Sequence, residues 1–418
     1  MKQMIIKGNR ELKGSIKVSG AKNSALALIP AAILSDEKVI IDNVPELSDI
    51  DALVEILEYL EAKITRNGST MEIDASGIRN KEIPEEVSTK LRASYYFMAS
   101  LLGKYKKVEM YFPGGCNIGK RPIDQTLKVF RALGATVIEK GNKYKITATK
   151  LVGNHIYLDM PSVGATVNAL LAAVRATGTT ILENAAKEPE IVNVATFLNN
   201  MGANIKGAGT SEIRIKGVST LKGCFNEVIP DRIEAGTYLI AGALVGKNLK
   251  IENIIPDHIE ALTLKLQEMG ANIKIYDDYI VVSKKEKLKP IDIKTLGYPG
   301  FATDLQQPLT TLLTQCDGAC SLEETIYENR FQNIEFLNKL GANISIDNQK
   351  IRIFGPTELK GTEVKATDLR AGACLVLAGL KASGTTVITD ADHILRGYEN
   401  MIQKLKNVGA DVAIKESH

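Results

Sequence analysis

The chain has no tryptophan, nine phenylalanines and 13 tyrosines among 418 residues, so aromatic platforms for stacking unpaired bases are scarce. Charge of one sign is also lacking: 52 basic side chains stand against 49 acidic ones, and nucleic acid is not an expected partner. The densest basic run, Lys284-Lys285-Glu286-Lys287-Leu288-Lys289, reads as a solvated hairpin tip. Long apolar runs are absent. The longest, Ala25 to Leu34, contains Pro30 and falls well short of the ~20 residues of a spanning helix, so no membrane insertion is expected. The N-terminal Met1-Lys2-Gln3-Met4-Ile5-Ile6-Lys7-Gly8 lacks an apolar signal core, which makes the cytoplasm the expected location. The five cysteines (Cys116, Cys224, Cys316, Cys320, Cys374) are odd in number and scattered, which argues against a disulfide framework. Cys316 and Cys320 have no second ligand pair at zinc-like spacing, and only four histidines are present, so no metal site is expected. GxxxxGK[ST], HExxH and GxSxG patterns do not occur, and Gly207-Ala208-Gly209 is an incomplete glycine fingerprint.

What the chain does have is repetition. Amphipathic segments end at Ala62, Ala135, Ala203, Ala271, Ala342 and Ala410, each preceded by Gly or Glu and followed by a short strand pattern. Six units of about 70 residues therefore account for the sequence. Each also contains a segment that is apolar or small nearly all round: Asn23 to Leu34, Leu91 to Leu102, Ala165 to Ala176, Ile233 to Val245, Leu305 to Leu313 and Leu369 to Leu380. A helix without a polar face must be buried on every side. This favours two three-unit globules over a continuous solenoid. A strand pair recurs as well, in Ile213-Arg214-Ile215-Lys216-Gly217 followed by Leu221-Lys222-Gly223, and again around Ile351 and Leu359. The same pattern opens the chain, so residues 1–21 are expected to supply the missing hairpin of the sixth unit. The expected domains are then 22–229 and 1–21 plus 230–418, with crossings near 20–22 and 229–232.

The starts of the apolar segments carry charge at the same phase of the repeat. Ser162, Asp231, Asp304 and Asp368 are good N-cap types. Lys22, Arg92, Arg232 and Arg370 oppose the helix dipole, and so call for an anionic partner. Arg121, Arg330 and Arg396, at the starts of the amphipathic segments, add groups suited to phosphate and carboxylate. If the helix starts of each domain converge on one face, two such faces across a cleft form an anion trap. Pro113-Gly114-Gly115-Cys116-Asn117-Ile118-Gly119-Lys120-Arg121-Pro122 reads as a glycine-rich loop that carries a thiol among cations. Lys120 and Arg121 should push that thiol toward thiolate.

Ser19-Gly20-Ala21-Lys22-Asn23-Ser24, the cysteine loop, Ser162-Val163-Gly164-Ala165-Thr166-Val167, Glu188-Pro189-Glu190-Ile191-Val192 and Pro230-Asp231-Arg232-Ile233-Glu234 resemble the enolpyruvyl transferase family. Ala366-Thr367-Asp368-Leu369-Arg370-Ala371 and Arg396-Gly397-Tyr398-Glu399 extend the resemblance over the whole length. Within that family the match is to the UDP-N-acetylglucosamine 1-carboxyvinyltransferases. The branch acting on shikimate 3-phosphate shares the fold but normally lacks the cysteine loop. The resemblance implies an α/β fold of two inside-out, barrel-like domains of the EPSP synthase type, separated by a cleft. It also implies transfer of the enolpyruvyl group of phosphoenolpyruvate to the 3′-hydroxyl of UDP-N-acetylglucosamine through a tetrahedral ketal, early in peptidoglycan synthesis, without metal or organic cofactor.

By the same resemblance Cys116 protonates C3 or assists product release, Asp304 takes the hydroxyl proton, and Lys22 and Arg396 belong to the catalytic set. Lys22, Asn23, Arg121, Arg330, Arg370 and Arg396 would hold phosphoenolpyruvate. Asn23, Arg92, Arg121, Pro122, Ile123, Asp124, Ser162, Val163, Gly164, Asp304 and Ile326 would hold the nucleotide sugar. Met160 stands where several family members have Lys, and Glu46 and Ser48 replace basic residues of some relatives, which weakens the positive rim expected on the nucleotide side. The thiol implies inactivation by fosfomycin. A 3-phosphoshikimate 1-carboxyvinyltransferase-like activity and a non-catalytic UDP-sugar-binding paralogue are the alternatives. A monomer or weak homo-oligomer is expected.

Overall fold

The computed structural model describes residues 1–112 and 123–416. Six helices form its interior: α1 (Lys22–Ala31), α2 (Tyr96–Tyr105), α3 (Val163–Ala173), α4 (Arg232–Val245), α5 (Thr303–Leu313) and α6 (Leu369–Lys381). Their all-round apolar sequences are matched by all-round burial. Every residue of α1 but Asn23, of α4 but Arg232 and of α6 but Lys381 is buried. Small residues let the helices touch through backbone. A Cβ added to Gly103 of α2 would lie 2.6 Å from the Leu171 carbonyl oxygen of α3, so only glycine fits there. The second apolar segment, read as helical from Leu91, opens instead with a 3-10 turn over Arg92–Tyr95.

The chain divides into two units, Gly20 to Ile229 and Met1–Ser19 with the residues from Pro230 onward. Helices α1, α2 and α3 lie in the first, and α4, α5 and α6 in the second. Each apolar cluster stays within its own unit. Amphipathic helices such as Ser48–Tyr59, Pro189–Asn200 and Glu260–Glu268 complete the repeats.

Each repeat carries three antiparallel strands, with apolar residues alternating inward as in Ile213 and Ile215 of Glu212–Lys216. To these a strand from the preceding repeat adds in parallel. His155–Tyr157 joins Thr179–Glu183, and Phe225–Glu227 returns to Val39–Asp42, which closes a ring of three. The middle repeat has only a bridge between Ile83 and Met110 at this place. In the other unit Asp292–Lys294 joins Gly318–Glu323, Glu363–Lys365 joins Thr385–Thr389, and Ser15–Lys17 joins Leu249–Glu252.

This hand-off corrects the expected hairpins. The first strand, Lys2–Lys7, does lie in the sheet of the sixth repeat, between Thr385–Thr389 and Asp411–Glu416. Ser15–Lys17, however, belongs to the sheet of the fourth. Likewise the strand after Gly217 is Phe225–Glu227, and it pairs with another repeat. The physical reason is edge protection: a local hairpin would leave the neighbouring sheet with an open row of backbone donors and acceptors. No helix among the described residues is long and apolar enough to cross a membrane.

Candidate active site

The start of α5 is built differently from those of α3, α4 and α6. Ser162, Asp231 and Asp368 cap their helices, their side chains accepting backbone N–H bonds from Ala165, from Ile233 and Glu234, and from Arg370 and Ala371. Asp304, an N-cap type by sequence and the base by resemblance, does not. Instead Ala302 holds the cap position and Asp304 sits in the first turn, its carboxylate turned to two guanidinium groups. Arg330 Nη2 donates to Oδ1 at 2.8 Å, and Arg370 Nη2 donates to Oδ2 at 3.4 Å. Both arginines are buried, while about a quarter of the Asp304 side chain is exposed (26%). Burial alone would raise the Asp304 pKa. Arg370 and Arg330 more than offset it and hold the carboxyl far below the usual carboxylate range.

The cluster extends further. Arg370 Nη1 donates to the Tyr398 hydroxyl at 3.1 Å, which lies 2.9 Å from Thr237 Oγ1 of α4. Arg330 Nη1 donates to Thr303 Oγ1 at 2.8 Å and its guanidinium stacks over Tyr327. A cavity of about 800 Å3 opens near the start of α5, its lining including Arg232, Tyr298, Phe301, Ala302 and Leu305 but not Asp304, Arg330 or Arg370. Arg232 lies over the Tyr298 ring.

In the unit from Gly20 to Ile229, the Lys22 ammonium of α1 reaches Asp49 at 3.1 Å with both side chains buried. The opposition of a cation to its helix dipole is thus answered by a carboxylate of the protein, as it is for Arg370. Arg92 stacks over Tyr95 at 5.5 Å and Phe112 at 5.3 Å. Tyr95 presses on the first turn of α3, where a Cβ on Gly164 would come 1.5 Å from its hydroxyl oxygen. Ser162 and Val163 flank this contact. Asn23 is exposed on the first turn of α1. Ile123 is buried and Asp124, exposed, begins the helix Asp124–Ala132.

Ile326 is exposed, and Met160 is more so; Arg396 is half-buried just after Asp392–Leu395. Cys116, Lys120, Arg121 and Pro122 lie outside the described residues.

Asp304, Arg330 and Arg370 thus form one cluster, and Arg92 and Gly164 are joined through Tyr95. Sequence reasoning missed Asp49, Tyr95, Thr303 and Glu324. The signal available for Thr303 was its place beside Asp304. Asp49 and Glu324 act across 27 and 21 residues of chain, on Lys22 and Thr303 respectively, which no local pattern reveals.

A family model described as EPSP synthase (3-phosphoshikimate 1-carboxyvinyltransferase) matches residues 6–405. UDP-N-acetylglucosamine 1-carboxyvinyltransferase 1 of Streptococcus agalactiae is 51% identical over 418 residues, covering all of both chains. UDP-N-acetylglucosamine 1-carboxyvinyltransferase 2 of Geobacillus kaustophilus is 50% identical over 412 residues, 99% of this chain and 96% of its own. Among solved structures, the enolpyruvyl transferase NikO from Streptomyces tendae superposes with a TM-score of 0.91 at 27% identity, over 100% of this chain and 99% of that one. EPSP synthase from Acinetobacter baumannii shares the fold at 20% identity, with a TM-score of 0.76 over all of both chains.

Proposed function

The chain belongs to the EPSP synthase family, and on that premise we propose that it transfers the enolpyruvyl group of phosphoenolpyruvate to the 3′-hydroxyl of UDP-N-acetylglucosamine, releasing phosphate. The observation that carries the choice of acceptor is full-length identity of about half to proteins named for that reaction.

The arginine cluster supports the chemistry. Phosphoenolpyruvate brings a phosphate and a carboxylate, the two groups to which arginine binds with two parallel hydrogen bonds. A carboxylate held as low as Asp304 is a poor base, because effective proton transfer needs a pKa near the working pH. Substrate anions that draw Arg370 and Arg330 toward themselves weaken the hold on Asp304 and raise its basicity. The base is then strengthened by the arrival of the substrate it serves. In the reaction, a proton added to C3 of the enol makes C2 electrophilic. The sugar hydroxyl attacks C2 as Asp304 takes its proton; phosphate then leaves as C3 gives up a proton. Cys116 is assigned the C3 proton or product release, and Lys22, Arg121, Arg330, Arg370 and Arg396 share the phosphate and carboxylate. Arg92, Ser162, Val163 and Gly164 are assigned the diphosphate, with Tyr95 packing Arg92 against that turn. The reaction is proposed to run in the cytoplasm, on a monomer or weak homo-oligomer.

Phosphate release from phosphoenolpyruvate in the presence of UDP-N-acetylglucosamine tests the reading. No phosphate would leave a non-catalytic nucleotide-sugar-binding protein. The description of the matching family favours one other acceptor, and turnover of shikimate 3-phosphate in place of the nucleotide sugar would establish it.

A further inference from the structure

Glu324 is almost wholly enclosed, with 1% of its surface exposed, and four donors converge on its carboxylate. Oε1 accepts from the Thr303 hydroxyl at 2.7 Å and from the backbone N–H groups of Ile326 and Tyr327, each at 3.2 Å. Oε2 accepts from Gln306 Nε2 at 3.4 Å. These donors come from two places: the first turn of α5, which carries Asp304, and the loop of Ile326. A carboxylate accepts at both oxygens, through about four lone-pair sites, whereas an amide at this point offers one acceptor and turns two donors toward Gln306.

The direction of the bonds fixes more than Thr303. A hydroxyl has one proton, and here it goes to a group that only accepts. Toward Arg330 the Thr303 oxygen therefore presents lone pairs, and Arg330 Nη1 donates to it at 2.8 Å. The other end of the same guanidinium, Nη2, donates to Asp304 at 2.8 Å. Gln306, oriented by Glu324, donates also to the Arg330 backbone carbonyl at 3.1 Å. Arg330 is thus held at its guanidinium and at its backbone by groups that both answer to Glu324.

We propose that Glu324 is a positioning residue for the transfer, setting Asp304 through Thr303 and Arg330 and setting Ile326 through two backbone N–H groups. This rests on the functional reading above. It assigns the residue two separable effects: one on the proton transfer, read in kcat, and one on the nucleotide sugar, read in its KM.

The test compares the parent with Glu324→Gln, Thr303→Val and the double variant, by steady-state phosphate release with each substrate varied in turn, alongside melting temperature. Glu324→Gln should lower kcat about 10- to 100-fold, the scale at which misplaced reacting groups cost rate. It should raise KM for UDP-N-acetylglucosamine severalfold, and KM for phosphoenolpyruvate with it, because Arg330 is assigned to that substrate. On the Thr303→Val background, adding Glu324→Gln should lower kcat by less than about threefold more, because the relay is already cut. The rise in KM for the nucleotide sugar should persist there. An active parent whose Glu324→Gln variant keeps kcat and both KM values overturns the proposal and leaves the functional reading standing. So does full additivity of the two kcat losses, or a fall in melting temperature with unchanged kinetics. A parent that releases no phosphate overturns the functional reading and the role of Glu324 together. If Glu324→Gln does not fold, Thr303→Val alone decides: unchanged kcat excludes the relay, and a loss with KM for UDP-N-acetylglucosamine unchanged supports it.

Discussion

Arg370 Nη2 stands 3.4 Å from Asp304 Oδ2, so a residue assigned to substrate binding also neutralises the residue assigned as base. Substrate binding and base strength are thereby linked through one guanidinium.

Asp304→Asn should lower kcat by about 10²–10⁴-fold, the usual worth of a positioned acid or base. It should also change the response to acid. The Asp304 carboxyl is depressed by Arg370 and Arg330 in spite of burial. Its stabilising contribution is therefore present above the unfolded value near pH 3.8, and is lost as pH falls through the lower folded value. Melting temperatures from pH 3 to 7 should show a steeper acid decline for the parent than for the variant; equal slopes would contradict the clamp.

Glu234 should act in the opposite sense. It is buried in α4, accepts from Ser19 N–H at 3.1 Å and is bonded to Lys404. Burial pushes its carboxyl up to about 7, with Lys404 offsetting only part. A carboxyl raised on folding stabilises fully below its unfolded value near 4.5, and that contribution is lost as pH rises through about 7. The swing is on the order of 3 kcal/mol. In Glu234→Gln, melting temperature should be flatter between pH 4.5 and 8 than in the parent. A parallel profile would show that Glu234 titrates at an ordinary value.

Gly164→Ala places a methyl 1.5 Å from the Tyr95 hydroxyl oxygen, and 2.9 Å from the ring carbon bearing it, so Tyr95 must move. Overpacking of this kind costs about 1–3 kcal/mol. The displaced ring loses its place under Arg92, so calorimetry should show weaker binding of UDP-N-acetylglucosamine. Tyr95→Phe on the Gly164→Ala background removes the nearer clash and should recover part of the stability. Unchanged stability and binding in Gly164→Ala would mean that Tyr95 has a second position at no cost.

Fosfomycin should inactivate the parent covalently, with the mass of the adduct on the peptide that contains Cys116. Cys116→Ser should resist. Inactivation retained in that variant would show that another nucleophile reacts.

Much of the fold was legible because it rests on periodicity. All-round apolar segments became α1 to α6 with ends shifted by a few residues, since burial on every side leaves few other solutions. Strand partners were less legible. Leu12-Lys13-Gly14 and Leu221-Lys222-Gly223 look like halves of local hairpins, yet Ser15–Lys17 and Phe225–Glu227 pair with distant repeats. A strand's own residues mark which face is apolar, not whose edge needs covering. In the candidate site, Asp304, Arg330 and Arg370 were found by charge type and repeat phase, and the structure clusters them. Asp304 was nevertheless read as a possible cap, because capping and ion pairing use the same residue type at the same place. Tyr95 and Asp49 gave no signal, since Gly164 and Lys22, which they meet, lie on other helices.

The strand order has a consequence for synthesis on the ribosome. All strands of the unit from Gly20 to Ile229 exist once Phe225–Glu227 has emerged. The other unit must wait. Lys2–Lys7, made well before its partners, is the inner strand between Thr385–Thr389 and Asp411–Glu416, with Met4 opposite both Ile388 and Ile414. Until Thr385–Thr389 has emerged, this strand, with its inward Met4 and Ile6, has neither neighbour. Its closure, from Lys2 to Glu416, is the longest-range strand pairing among the described residues, and therefore the slowest to form. A nascent chain stalled before Thr385 therefore exposes a strand ready to pair with the wrong edge.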